Sequence, residues 1–235
     1  MKIESKDLKK SAAMRAMDEI SGDCVLGLGS GTTMEFFIHE LAERIRRERL
    51  NIVAVPTSLQ ARLLAMDAGI TTRDPIEFNS IDLTVDGADE VDPQGNLIKG
   101  GGAAHVIEKV IAAMSKRFVV VADESKIVQM LGRNFPVPIE VIEPALHFVL
   151  KRLADLGAKP AVRVSKGKIG PVISDLGNII VDAKFDAISD PFTLDRELNA
   201  IPGIVGHGIF VQMADRVIIG KSGPNGPGIQ IIDFS

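Results

Sequence analysis

The sequence predicts an α/β protein: a Rossmann-like, mostly parallel sheet with helices on both faces, joined to a smaller ferredoxin-like (βαββαβ) α+β domain. Three observations carry this. Short runs rich in Val, Ile and Leu alternate with helical patterns through the first half, the rhythm of a parallel sheet with crossover helices. These runs are uniformly apolar, as strands covered on both faces should be. Beyond prolines 136, 138 and 144 the order becomes strand, helix, strand, strand, helix, strand.

Taken in chain order, the opening MKIESKDLKKSAAMRAMDEI is charged and helix-like without an apolar centre, so it reads as neither a secretion signal nor a membrane span. Strands are expected at 24–28, 52–55, 81–85 and 118–121, with helices at 36–47, 59–68 and 103–115 between them. The second unit begins in FPVPIEVIEP. Its expected strands are 137–142, 161–164, 178–183 and 204–210, and its helices 145–156, stopped by Gly157, and 193–200. Runs at 216–219 and 229–232, around GKSGPNGPG, suggest a hairpin returning to the first domain. The expected division is therefore 1–131 with 207–235 as the catalytic domain, and 132–206 as the ferredoxin-like one.

Composition narrows the function. A net charge of −4 and a pI near 5.6 supply no basic field for neutralising phosphates of a nucleic acid, and without Trp or Tyr the usual base-stacking platforms are missing. One cysteine, Cys24, allows neither an internal disulfide nor a metal pair; it is expected as a small buried strand residue in a reducing compartment, the cytoplasm.

In open α/β sheets ligands gather beyond the carboxyl ends of the strands. Four segments stand there: GSGTT, PTS, DGADEVD and ADESK. GLGSGTT (27–33) joins a strand to a helix, where backbone N–H groups and the helix dipole favour an anion. A dinucleotide fingerprint would put glycine where Thr32 stands and an acid about 20 residues on, and both are missing. Ser30, Thr32 and Thr33, with Gly31, suit a phosphate monoester; a plain strand-to-helix turn capped by hydroxyls has equal weight on this stretch alone. DGADEVD carries Asp86, Asp89, Glu90 and Asp92 but fails the EF-hand pattern at Ala88. Its carboxylates suit a magnesium ion, sugar hydroxyls whose protons they shuttle, or a solvated turn.

LIKGGGAAHVIEK (97–109) sets Lys99 before Gly100, Gly101 and Gly102, and Glu108 on the following helix. Consecutive glycines mark unusual dihedrals or a close approach of backbone to something else. Ala104 and Ala112 flank Glu108 at i−4 and i+4, and Val106, Ile107, Val110, Ile111 and Met114 form an adjoining stripe. An acid so placed is partly desolvated, which raises a carboxyl pKa toward that of a useful general base; the plain alternative is a surface Glu paired with lysine.

In this order, GSGTT, DGADEVD, IKGGGAA followed by EK, and ADESK closely resemble ribose-5-phosphate isomerase of the A type, over essentially the whole chain. The resemblance implies interconversion of ribose 5-phosphate and ribulose 5-phosphate in the pentose phosphate pathway. It implies no cofactor, no metal, and a homodimer or homotetramer. It places substrate contacts on Ser30, Gly31, Thr32, Thr33, Asp86, Gly87, Ala88, Asp89, Lys99, Gly100, Gly101, Gly102 and Lys126, with Lys9 as a further lysine for the phosphate. Glu108 becomes the proton-accepting base, Lys99 the stabiliser of the enediolate, and Asp86 and Asp89 handle hydroxyl protons and ring opening. Many members carry REK where this chain has Ile107-Glu108-Lys109. The rivals are a sugar-phosphate sensor, which could dispense with Lys99 and Glu108, and an amino-sugar phosphate deaminase or coenzyme A transferase, neither of which needs this series of motifs.

Overall fold

A computed structural model describes residues 4–224 and 226–234, apart from the side chain of Lys168. Residues 1–3 of the helix-like opening and Asn225 of the expected closing turn lie outside the described residues. The first half runs α1 (Ser5–Ala16), β1 (Cys24–Leu28), α2 (Thr32–Glu48), β2 (Ile52–Pro56), α3 (Leu59–Asp67) and β3 (Leu83–Gly87). Next come β4 (Glu90–Val91), β5 (Leu97–Ile98), α4 (His105–Met114), β6 (Phe118–Asp123), β7 (Val137–Val141) and α5 (Leu146–Asp155). The rest is β8 (Lys159–Val162), β9 (Val164–Ser165), β10 (Lys168–Pro171), β11 (Ile179–Lys184), α6 (Pro191–Asn199), β12 (Ile204–His207), β13 (Ile209–Phe210), β14 (Arg216–Gly223) and β15 (Gly226–Asp233).

The chain divides into two compact units, one of 1–88, 107–126 and 213–235, the other of 89–106 and 127–212. The first holds a six-stranded sheet in the order β15-β14-β6-β3-β1-β2, parallel except for the antiparallel edge strand β15. Its core is built from residues whose spacing is plain in the sequence. Helix α2 buries Met34, Phe37, Ile38, Leu41 and Ala42, the three- and four-residue spacing of one helical face. Helix α1 buries Leu8 and three alanines, small enough for backbone to meet backbone: a Cβ on Gly220 of β14 would lie 2.0 Å from the Leu8 carbonyl oxygen. Cys24 is half-buried in β1, and burial, with Asp82 and Asp23 nearby, pushes its thiol above the usual range, so it is an inert strand residue.

The second unit is built on an antiparallel sheet in the order β12-β7-β11-β8, with α5 and α6 as its two helices. The chain order β7-α5-β8-β11-α6-β12 is the βαββαβ pattern the sequence predicts. Val149 and Leu153 from α5 and Leu194 and Leu198 from α6 join Val137, Ile139, Val141, Val181 and Ala183 in one core.

Several boundaries differ for local reasons. Helix α2 starts at Thr32 because Gly31, at φ +94°, turns the chain into it, which makes Thr32 and Thr33 its first residues. Helix α4 starts at His105 because Ala103 is left-handed, at φ +62°. The run expected at 81–85 sits two residues later, so Asp86 and Gly87 end a buried strand instead of lying beyond it. The strand expected at 204–210 breaks at Gly208, whose N–H donates to Pro138 and whose carbonyl accepts from the Lys99 N–H, both at 2.8 Å. β12 therefore pairs with β7, and β13 with β5 in a separate three-stranded sheet, β13-β5-β4. The strand expected at 161–164 likewise splits into β8 and the short β9–β10 hairpin.

Candidate active site

In the first unit the parallel strands β1, β2, β3 and β6 deliver their loops to one edge of the sheet. Beyond β1, Ser30 Oγ lies 2.8 Å from Thr57 Oγ1 and 2.6 Å from Ser58 Oγ, both beyond β2. Ser58 also caps α3, accepting from the Ala61 N–H at 3.1 Å. The Gly31 N–H donates to Gln60 Oε1 at 3.1 Å, and Lys9 Nζ donates to Thr32 Oγ1 at the same distance. The loop is thus a helix N-terminus with hydroxyls from Ser30, Thr32 and Thr33 and an ammonium brought by α1, a fit for an anion.

Asp86, at the end of β3 and 1% exposed, braces this loop: its Oδ1 accepts from the N–H of Ser30 at 3.1 Å and of Gly87 at 2.7 Å. The approach is so close that a Cβ on Gly29 would fall 2.2 Å from that oxygen, so glycine is required there. Ala88 ends this stretch, partly buried. Beyond β6, Asp123 accepts from the Ser125 N–H at 2.9 Å and from the Ser125 hydroxyl, fixing the turn that carries the partly exposed Lys126.

Glu108 lies in the first turn of α4 and is 5% exposed, which removes it from the solvated helix face where a surface ion pair would sit. Ile107, Ile111 and Met114 pack with Val55 and Ile81, and Ala112 is buried, whereas Val110 of the expected stripe is 47% exposed. Helix α4 crosses close over the sheet: a Cβ on Gly27 would meet Ile111 at 2.8 Å.

In the second unit, β5 leads directly into Lys99, and its pairing with both β13 and β4 fixes the lysine backbone. Lys99 is 3% exposed, with Nζ 5.7 Å from the centre of the Phe210 ring, a desolvated cation over an aromatic face. Gly100 has φ +103°, and a Cβ there would come within 2.7 Å of His105 Nδ1. The Gly101 N–H donates to Asp89 Oδ2 at 2.8 Å, while Asp89's own N–H is held by the Ile98 carbonyl. Gly102 is exposed, with open space where a side chain would be.

The acid-rich run divides by role. Glu90, 1% exposed, accepts from the N–H groups of Gly132, Asn134 and Phe135 at 2.6, 2.7 and 2.8 Å. Asp92 accepts from the N–H of Gln94 and Asn96 and from the Asn96 amide, closing a turn. Both are committed to folding. Among the described residues no group of three or more His, Cys, Asp or Glu side chains is arranged to hold a metal. Sequence reasoning places PTS at a strand end without assigning it; the residues it misses are Thr57 and Ser58, which fix Ser30, and Gln60, which takes the Gly31 N–H. Two hydroxyls directly after a buried strand are the available signal.

Residues 53–223 match the family model of ribose 5-phosphate isomerase A (phosphoriboisomerase A). The chain belongs to this family. Ribose-5-phosphate isomerase A of Methanothermobacter thermautotrophicus is 50% identical over 216 residues, covering 92% of this chain and 95% of its own. That of Pyrococcus abyssi is 48% identical over 221 residues, covering 94% and 96%. A solved D-ribose-5-phosphate isomerase in complex with phospho-erythronic acid matches with a TM-score of 0.93 and 44% identity, covering 99% of this chain and 100% of its own. The Methanocaldococcus jannaschii ribose 5-phosphate isomerase A matches with a TM-score of 0.90 and 39% identity, covering 97% and 99%. Family membership makes the chain an isomerase enzyme with the family's α/β fold. No described helix is long and apolar enough to cross a membrane.

Proposed function

We propose that the chain interconverts D-ribose 5-phosphate and D-ribulose 5-phosphate, a step of the non-oxidative pentose phosphate pathway, through an enediolate. The observation that carries the reading is Glu108: withdrawn from solvent in the first turn of α4, it stands just past the glycine run in a chain of this family. Its carboxylate takes the proton from C2, leaving an enediolate, and returns a proton to C1; one base serves both carbons because they are adjacent on one face. Lys99 opposes the negative charge that develops on the oxygens, with preorganisation from its fixed backbone. Asp86 and Asp89 receive the sugar hydroxyls, assist ring opening and move protons between O1 and O2. The phosphate is held by Ser30, Gly31, Thr32, Thr33, Lys126 and Lys9, so binding energy far from C2 positions the chemistry. Gly87, Ala88, Gly100, Gly101 and Gly102 contribute backbone approach to the sugar.

The relative bound to phospho-erythronic acid supports the substrate class, since such a ligand joins a phosphate to a planar carboxylate, the charge and shape of an enediolate's reacting end. The same reading carries a metal-free reaction, a cytoplasmic enzyme, and self-association as a homodimer or homotetramer. The test is to mix purified protein with ribose 5-phosphate and measure ketose formation with and without a chelator. Equal rates are expected in both; no ketose in either sinks the reading, and activity lost only with chelator sinks the metal-free mechanism.

Lys126 separates binding from chemistry. A charge-assisted hydrogen bond to phosphate contributes about 1.5–3 kcal/mol, so Lys126→Ala should raise KM roughly ten- to a hundredfold with kcat nearly unchanged, because the contact is equal in ground and transition states. Initial-rate curves check it, and a defect confined to kcat would reject the phosphate role.

A further inference from the structure

We propose that Arg163 is a positioning residue that clamps the glycine loop after Lys99, an inference that rests on the proposed isomerisation. Arg163 comes directly after β8, and its backbone is fixed on both sides: its N–H donates to Ile180 and its carbonyl accepts from Val172, both at 2.8 Å. Its side chain is 13% exposed. Nε donates to Asp182 Oδ2 at 2.9 Å while Nη2 pairs with Asp182 Oδ1, the two-pronged grip of a guanidinium on a carboxylate. That grip leaves Nη1 aimed at the loop, where it donates to the Gly100 carbonyl at 2.9 Å and the Gly101 carbonyl at 3.1 Å.

The loop needs an external brace. Gly100 can carry no side chain against His105 and Gly101 none against Asp89, so the segment has no side chains of its own to order it. Glycines lose more freedom on ordering than any other residue. The Ala103 N–H closes a turn on the Gly100 carbonyl at 3.0 Å, and the peptide planes are held further from two sides, the Gly101 N–H by Asp89 and the two carbonyls by Arg163. Each carbonyl shares a peptide group with the next N–H. A cation on the Gly100 carbonyl therefore polarises the Gly101 N–H toward Asp89, and one on the Gly101 carbonyl polarises the N–H of exposed Gly102. Arg163 thus sets both the position and the donor strength of the loop while touching no reacting atom. Lysine offers one point charge without a fork and cannot hold Asp182 at two atoms and both carbonyls together.

The experiment compares Arg163→Ala, Arg163→Lys and Asp182→Asn with the parent in initial-rate kinetics on ribose 5-phosphate, thermal unfolding, and hydrogen exchange of the peptide spanning 97–106. Arg163→Ala should lose roughly ten- to a hundredfold in kcat/KM, mostly in kcat, with faster exchange in that peptide. Arg163→Lys should recover part of the loss and Asp182→Asn show a smaller one. If Arg163→Ala does not fold, the other two variants decide. Folded variants with parental kcat/KM and parental exchange overturn the clamp. A parent that makes no ketose overturns the isomerase reading instead, so the two failures are distinct.

Discussion

Replacing Glu108 by glutamine is expected to lower kcat by two to four orders of magnitude, the range of a general base, with KM for ribose 5-phosphate changed by no more than about threefold. The variant isolates chemistry from packing. Glutamine has the same shape, so Ile111 and Ala112, both buried on α4, keep their contacts and the unfolding midpoint should hold. It cannot accept a proton from carbon. Ile107, where the resemblance has a basic residue in many members, packs among Val55, Ile81 and Ile111, and the charged neighbour of the acid in the chain is Lys109. The expected loss is one of turnover. Stopped-time assays of ketose formation measure it, and turnover within tenfold of the parent would remove Glu108 as the base.

Much of this was legible because strand ends are written in runs of residue types. The apolar runs at 24–28, 52–55 and 118–121 are long enough to identify themselves, and the sheet carries the residues after each strand to one edge. The βαββαβ order was legible for the same reason. The strands β4 and β5 were not, and β13 was legible only as the end of the longer run at 204–210: two residues each, they exist through pairing with one another, and no two-residue stretch carries a period. Nor does a sequence reveal which carboxylate meets which N–H. Asp86, Asp89, Glu90 and Asp92 look alike in DGADEVD, yet Glu90 meets a loop more than 40 positions away. Arg163 was invisible altogether, since its partners at Gly100, Gly101 and Asp182 are set by tertiary contact.

That division of the acids makes a prediction about stability. Glu90→Gln should destabilise the protein by about 2–3 kcal/mol, the cost of stranding a buried donor. The geometry leaves glutamine no good orientation. Its one carbonyl oxygen can serve Asn134 and Phe135, as Oε1 now does, and its NH2 then faces the Gly132 N–H, donor against donor. Turned over, it satisfies Gly132 and strands the other two. Solvent cannot repair the defect, since the side chain is 1% exposed. For a chain of this size the loss corresponds to a fall of roughly 5–10 °C in unfolding midpoint, readable by calorimetry, while kcat measured well below that midpoint should stay near the parent's. A variant that melts with the parent would mean that Glu90 is not holding the 132–135 loop. One that melts normally yet loses turnover would move this carboxylate from the folding side of the run to the chemical side, beside Asp86 and Asp89.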